Sequence, residues 1–592
     1  MDEVVDPEMI YQDAMANDQK GVDGQELSMT GNSSAADFAV NSSPGAAGQG
    51  MQAQVSDEVN PEILQLSSVD FVMPANVNFS QTIVGNERGT SVSDKVGGGA
   101  SGIMDRLTFE IRQSVKERQT LVIWVFDAST SMKVRREELV KRFETVYKQL
   151  DQEKATAGLY TAVLSFGEKV SILTPEPVQD VRPLVELVQK IPNDESGKEV
   201  VFEAVNTAVD KWKSFRKGDG PWNKLVLVVT DERGDDAEKY LEAAIANCKR
   251  AKTRVYTVGN ASVFGQKQGF VRWVYEDGFE EYLPVDQGPE TAFPEGLQLP
   301  SWGDGNDWRL NQMSASYGPY GLTRLCAETG GMYLISAEGR GPVFDKEIMR
   351  NYAPDYRPLR QAEDDIRKNA AKSALVMTAD LTNSEKNRIS NLPVPVMAFA
   401  AYNDNVLRTA IIEAQKPVAV VDNEIKRLLS GLEAAEKDRE KIREPRWRAA
   451  YDLAMGRLLA LRARYFGYNN MLAAMRSSPK TFTGGKENNE WRLVPSAQVD
   501  SIDVKKIAEK SKKYLQRVVD EHTGTPWAML AERELRLDMG WTWQESSIPV
   551  PPGMDARGLD DADVAKLLLA EEETKMKAPA GPPPKKRDRP KL

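Results

Sequence analysis

Asp127, Ser129 and Ser131 alternate at the end of the apolar run LVIWVF (121–126), and Thr230-Asp231 closes a second run, KLVLVV (224–229). Carboxylates and hydroxyls are hard oxygen donors. A mixture of anionic and neutral oxygens suits Mg2+, which favours octahedral oxygen and keeps several waters, so one or two carboxylates plus hydroxyls are enough. Asp-x-Ser-x-Ser taken alone also fits a helix cap, because Asp, Ser and Thr are preferred caps and a helical pattern begins near Val134. Capping gives no reason for a second apolar run to end on Asp as well. The pair therefore predicts one divalent-cation site, provided that the two strands are neighbours.

The elements that must position these residues follow from periodicity. LVIWVF, YTAVLSFG, VSILTP, KLVLVV and RVYTVG read as strands. RREELVKRFETVYKQL, VRPLVELVQKI, VFEAVNTAVDKWKSF and DDAEKYLEAAIANCKRA read as helices between them, and YGLTRLCAETGGMYLI as a helix, a Gly-Gly end and a last strand. Continuous apolar strands alternating with helices predict an α/β fold, an open and mostly parallel sheet with helices on both faces. In such sheets ligands bind outside the carboxyl ends of the strands, which is where Asp127 and Asp231 fall.

The chain has 592 residues, 41% apolar and 28% charged, with a formal net charge of −11. That balance argues against a nucleic-acid partner, since phosphate binding needs clustered Lys and Arg. No apolar run is long enough to span a membrane, and the acidic start MDEVVDPEMIYQDAMANDQK is unlike a secretory leader, so a cytoplasmic chain is the default expectation, with periplasm or cell surface if the true start lies upstream. Two cysteines, Cys248 and Cys326, make neither a disulfide framework nor a zinc site and read as buried thiols. A single histidine, His522, leaves little room for Ser-His or Cys-His catalysis.

Composition divides the chain further. Residues 1–98 are rich in Gly, Ser, Ala, Gln, Asn and Asp and read as a disordered arm. The α/β domain is expected over 99–340, with an aromatic and acidic insertion at 261–318 that includes Trp273, Trp302 and Trp308 and starts on the rim bearing the two aspartates. Residues 341–400 read as a connector. Over 401–545 the pattern is helical and tetratricopeptide-like, with Trp447, Tyr451, Ala454, Leu458, Leu461 and Tyr465 on one stripe, a second helix at DVKKIAEKSKKYLQRVVDEH and a third over GTPWAMLAERELRLDMGWTWQE. Residues 546–592 read as a flexible tail with a short helix, ending in a basic proline-rich stretch.

The strand ending in Asp127-Ala-Ser129-Thr-Ser131, with VVTDE downstream, resembles the von Willebrand factor type A domain and its metal-ion-dependent adhesion site over roughly 119–336. The whole chain resembles long bacterial proteins that join such a domain to a helical region. The resemblance implies a Rossmann-like fold, one Mg2+ (or Mn2+ or Ca2+), and a metal set of Asp127, Ser129 and Ser131 from the first loop and Asp231 from the third. It also implies a protein partner that offers a carboxylate to the ion. The second loop departs from the pattern. Counting back five residues from Ala204 gives Glu199 where the family carries Thr. A Glu there either ligates the ion, weakening its pull on an acidic partner, or leaves an ion network with Lys133 or Lys198 in place of a metal.

Three functions compete on these residues. The first is a metal-dependent binding protein. The second is a scaffold that captures partners through residues 400–545 without metal. The third is a metal-dependent hydrolase with Glu199 as general base. No phosphate-cradling Gly-x-x-x-x-Gly-Lys loop is present, and the reading settles on a non-enzymatic binding protein.

Overall fold

The computed structural model describes residues 93–95, 100–140, 147, 158–299, 313–337, 341–383, 395–551, 555–560, 562–567, 569 and 587–591. Most of the arm at 1–98, and Trp302 and Trp308 of the insertion, lie outside the described residues.

A seven-stranded sheet organises the first half. Its strands are β1 (Ser93–Lys95), β2 (Thr120–Asp127), β3 (Leu159–Phe166), β4 (Val170–Ile172), β5 (Asn223–Val229), β6 (Thr253–Asn260) and β9 (Tyr333–Ala337). They lie in the order β1-β9-β6-β5-β2-β3-β4, parallel throughout except for β4, which runs antiparallel to β3. The strand β1 falls inside the arm expected to lack structure; there Ser93 to Lys95 pair with Tyr333 to Ile335 at the sheet edge. A separate two-stranded sheet, β7 (Gly269–Val274) with β8 (Glu280–Val285), belongs to the insertion.

The central strand β2 is buried along its whole length because both neighbours and both faces are covered. Val122, Trp124 and Phe126 face one layer with Ile103, Leu107 and Ile111 of α1 (Ala100–Glu117). Leu121, Ile123 and Val125 face the other with Val201, Val205 and Ala208 of α4 (Val201–Trp212). Each such aliphatic side chain contributes roughly 1.5–3 kcal/mol by leaving water, so a register slip of β2 would reverse both layers at large cost. Helix α2 (133–140) follows β2, α3 (Arg182–Gln189) precedes α4, and α5 (Ala237–Arg250) and α6 (Tyr320–Thr329) complete the cover. Cys248 and Cys326 are buried free thiols in the second layer, as expected.

The chain passes from β2 to β3 on one side, then returns to place β5 on the other, which makes β2/β5 the topological switch point. The register Phe126–Val229 sets Asp127 beside Thr230, one step before Asp231.

Short helices α7 (Lys346–Arg350), α8 (Leu359–Arg367) and α9 (Ala370–Asn383) lead to the helical region. It consists of α10 (Asp404–Ala434), α11 (Pro445–Ser477), α12 (Ile502–Glu521) and α13 (Pro526–Arg536). The expected stripe on α11 is buried, and so are residues on its other faces, including Leu453, Met455, Leu459 and Tyr468. A helix buried all round is a central one. Gly456 lets α12 approach: a Cβ there would stand 2.6 Å from Leu515, and Ser511 Oγ donates to the Gly456 carbonyl at 2.8 Å.

The third expected helix runs too far. It stops at Arg536, and Gly540–Ser546 is strand β12, antiparallel to β11 (Glu490–Ser496), which pairs with β10 (Ala398–Ala400). Trp541 and Trp543 point inward while Thr542 and Gln544 are exposed, a two-residue period that is incompatible with a helix. The region is therefore a helical assembly bearing a small antiparallel sheet.

Candidate metal centre

Asp127 is the last residue of β2 and is fully buried. Its Oδ1 accepts the Ser129 amide at 2.7 Å, and its Oδ2 accepts the Thr230 hydroxyl at 2.8 Å. The Ser129 and Ser131 hydroxyls lie 3.0 Å apart, and Ser131 Oγ donates to Asp231 Oδ1 at 3.2 Å. These hydroxyls thus turn toward the second strand end, and neither bonds to an amide of α2. The capping alternative is not the arrangement adopted.

Glu199 joins them. It immediately precedes Val200, the residue before α4, and is 2% exposed. The third loop holds it from both sides: the Glu199 amide donates to Asp235 Oδ2 at 3.0 Å, and the Asp235 amide donates to the Glu199 carbonyl at 2.9 Å. Asp236 then caps α4 from outside its own chain segment, accepting the Phe202 and Glu203 amides at 3.2 and 2.7 Å. Carboxylate oxygens of Asp127, Glu199 and Asp231 all come within 4.8 Å of one another.

The carboxylate of Glu199 lacks donors. Its Oε1 is buried with no hydrogen-bond partner, and its Oε2 lies 3.4 Å from Thr230 Oγ1. Thr230 has one hydroxyl proton, and the 2.8 Å contact to Asp127 takes it. Burial, then the charges of Asp127, Glu232 and Asp231, push the Glu199 carboxyl well above its usual range. Burial and then Asp127 raise Asp231 to about 6. Burial, then Asp231 and Asp127, raise Glu232 to about 9. Burial raises Asp127 as well, against hydrogen bonds from Ser129 and Thr230. Four carboxyls therefore share a dry rim and disfavour their joint ionisation.

Two arginines moderate this field. Arg136, 4% exposed, spans the first and second loops, donating to the Asp127 and Ser129 carbonyls at 2.6 and 2.9 Å and to Asn193 Oδ1 at 2.8 Å. Arg135 donates to Asn260 Oδ1 at 2.8 Å. Lys198 pairs instead with Glu168 at 3.0 Å in an exposed ion pair, and Lys133 is exposed. The ion network expected from those two lysines is therefore not formed.

The second loop is pinned to the first through Asp194. Its amide donates to the Ala128 carbonyl at 2.8 Å, and its carboxylate accepts the Glu168 and Ser196 amides at 3.0 and 2.8 Å. Gly167 leaves room for it, since a Cβ there would meet Asp194 Oδ2 at 2.2 Å. Sequence reasoning missed Arg136 and Asp194, which act through backbone contacts that no local pattern announces. Thr230 and Glu232 were visible as neighbours of Asp231 in VVTDE.

The insertion leaves β6 at Asn260, on the rim that carries Asp127. Arg233 of the third loop holds it: its backbone amide donates to the Asp286 carbonyl at 3.0 Å, and its side chain forms an ion pair with the Asp286 carboxylate at 2.9 Å. Part of the insertion packs on the helical region, where Leu297, Met313 and Ala315 join the core of the long helices. Arg446 of α11, almost fully buried, pairs with Glu290 and with Glu295 (2.6 Å) and donates to the Tyr352 carbonyl at 3.0 Å. Phe264 packs edge-on against Trp527, with centroids 4.8 Å apart. His522 lies at this junction and not at the rim, bonded through Nδ1 to the Tyr352 hydroxyl at 2.9 Å.

The family model of the von Willebrand factor type A domain matches residues 122–268. Among solved structures, the chain is similar to BatB of Bacteroides thetaiotaomicron, a conserved hypothetical protein, at 14% identity. That match covers 42% of this chain and 100% of that one, with a TM-score of 0.24. An aerotolerance-related membrane protein of Bacteroides fragilis matches at 13% identity over 36% of this chain and 90% of that one (TM-score 0.22). The SpRpn10 VWA domain matches at 10% identity over 24% of this chain and 77% of that one (TM-score 0.20). No curated protein matches the chain.

Proposed function

Since residues 122–268 of this chain form a von Willebrand factor type A domain, a fold of protein interaction, we propose that it is a binding scaffold whose domain holds one divalent cation. Asp127, Ser129, Ser131, Glu199 and Asp231 would hold the ion. The observation that carries this reading is the Glu199 carboxylate, buried without a donor among carboxylate oxygens of Asp127 and Asp231 that lie within 4.8 Å. A buried carboxylate without hydrogen bonds is costly unless it is neutralised or coordinates a metal. The donor set is all hard oxygen, which suits Mg2+.

The ion would supply a point of attachment for an oxygen of a protein partner. A partner carboxylate, as the family resemblance implies, would meet a site where three resident carboxylates outweigh a divalent charge. Glu199 therefore weakens that contact relative to a site with Thr in its place. The proposal assigns the rim no catalytic role. Among the described residues no helix is long and apolar enough to cross a membrane.

The test is calorimetric titration of Mg2+ and Mn2+ into the wild-type chain and Asp127→Ala, combined with partner capture with and without chelator. Binding heat in the wild type alone, with capture lost in chelator, is expected. Equal heats in the two proteins would sink the metal site. Capture that persists in chelator and in Asp127→Ala would transfer the binding role to the helical region.

A further inference from the structure

The hairpin between β7 and β8 turns on YEDGF (275–279). Asp-Gly is a strong hairpin signal because the turn needs a residue of positive φ, and Gly278 adopts φ 80°. The Tyr275 amide donates to the Phe279 carbonyl at 2.8 Å and the Gly278 amide to the Tyr275 carbonyl at 2.9 Å. Asp277 Oδ1 lies 3.3 Å from the Phe279 amide, which donates to it. The turn thus sets two aromatic rings, with centroids 6.0 Å apart, beside one carboxylate. The Tyr275 hydroxyl donates to Glu281 at 2.6 Å, which fixes the first ring.

Arg587 occupies this tip, 310 residues downstream. Its guanidinium carbon lies 3.8 Å from the Phe279 centroid and 5.8 Å from that of Tyr275. Its Nε and Nη2 donate to Asp277 Oδ2 at 3.2 and 3.0 Å. Both partners are about two-thirds shielded, the side chains being 26% and 32% exposed. A flat cation stacked on a ring and forked onto a carboxylate is a requirement that Arg meets and Lys does not. Charge agrees along the chain. The tip and its flanks carry Glu276, Asp277, Glu280 and Glu281, while GPPPKKRDRPKL (581–592) carries five basic residues and one acidic.

We propose that the tip at 275–279 is an arginine clamp, and that its occupant is the chain's own basic C-terminal segment, docked in cis through Arg587. Nothing in the cation site is needed for this contact. The clamp makes the hairpin a docking point for one arginine of a basic, proline-containing segment, and the tail keeps it filled.

Limited trypsin digestion of the full chain reads the contact directly, as cleavage after Arg587 followed by mass spectrometry. The free peptide of residues 581–592 is the reference. The chain should be cut about fivefold or more slowly than the peptide, as a stacked and paired arginine implies. Asp277→Lys and Phe279→Ala, both on an exposed turn, should each bring the rate close to that of the peptide while the thermal melt stays unchanged. Arg587→Lys, normalised to its own peptide, should lose most of the protection. Because the contact is intramolecular, protection should survive about a hundredfold dilution. Equal rates in the wild type and both tip variants would overturn the clamp. Full protection of the Lys variant would overturn arginine selectivity, and protection lost on dilution would assign the contact to a second copy.

Discussion

Ser131 Oγ donates to Asp231 Oδ1 at 3.2 Å, joining the ends of two strands that lie one hundred residues apart in sequence. The bond exists because β2 and β5 are parallel neighbours in register, so that both carboxyl ends open on one rim. It orients a hydroxyl and a carboxylate toward the point that Glu199 also faces.

Glu199 is the residue whose replacement is most informative. Glu199→Gln keeps the volume and removes the charge. If Glu199 ligates the ion, Mn2+ affinity by calorimetry should fall by about tenfold or more, the scale set by metal-site substitutions. An unchanged affinity would remove Glu199 from the ligand set while leaving Asp127 and Asp231 to be tested alone.

Stability should depend on pH in an unusual direction when the ion is removed. The folded-state values of Asp231 and Glu232 are raised, to about 6 and about 9. Each group's contribution is therefore fully present below its unfolded value near 4, and is lost as pH rises through the folded value. In chelator the protein should be more stable to urea near pH 5 than near pH 9, and Glu232→Gln should flatten the upper part of that slope. Divalent cation added at pH 8 should restore stability. A chelated wild type that gains stability from pH 5 to pH 9 would contradict the account.

Arg446 neutralises two carboxylates where the insertion meets α11. Arg446→Met leaves Glu290 and Glu295 buried with no cation, which should cost about 3–5 kcal/mol in denaturant melts. The triple variant Arg446→Met/Glu290→Gln/Glu295→Gln should recover most of that loss. If the triple variant is no more stable than the single one, packing and not charge holds the junction.

Gly167→Ala places a methyl against Asp194. Over-packing of this kind costs about 1–3 kcal/mol. Because the Val200 amide donates to the Gly167 carbonyl at 3.1 Å, the shift should reach Glu199. A drop in Mn2+ affinity alongside the lower melting temperature is expected. A stability loss with unaltered affinity would show that the second loop moves independently of the cluster.

Asp127 and Asp231 were legible because each follows a continuous apolar run, whereas the adjacency of their strands was a condition that only the fold could meet, as β2 and β5 do. Glu199 was found by counting back from Ala204, a spacing that holds because the helix start fixes it. Arg136 and Asp194 were illegible: they bind carbonyls and amides of other loops, and a backbone acceptor has no residue type to recognise. The helix expected over 524–545 overran because Trp541 and Trp543 lengthen the apolar run past Arg536, although their spacing of two belongs to the strand that begins at Gly540. The Arg446–Glu290 pair joins positions 156 apart, and nothing local in either segment anticipates it.

The insertion also gives the molecule a mechanical path. Leu297, Met313 and Ala315 share one hydrophobic cluster with the long helices, and Arg233, two residues from Asp231, is tied to Asp286. From Asp286 four residues lead to Glu290 and thence to Arg446. The helical region and the loop that carries Asp231 are thus joined by covalent bonds, one buried ion pair and one partly exposed one.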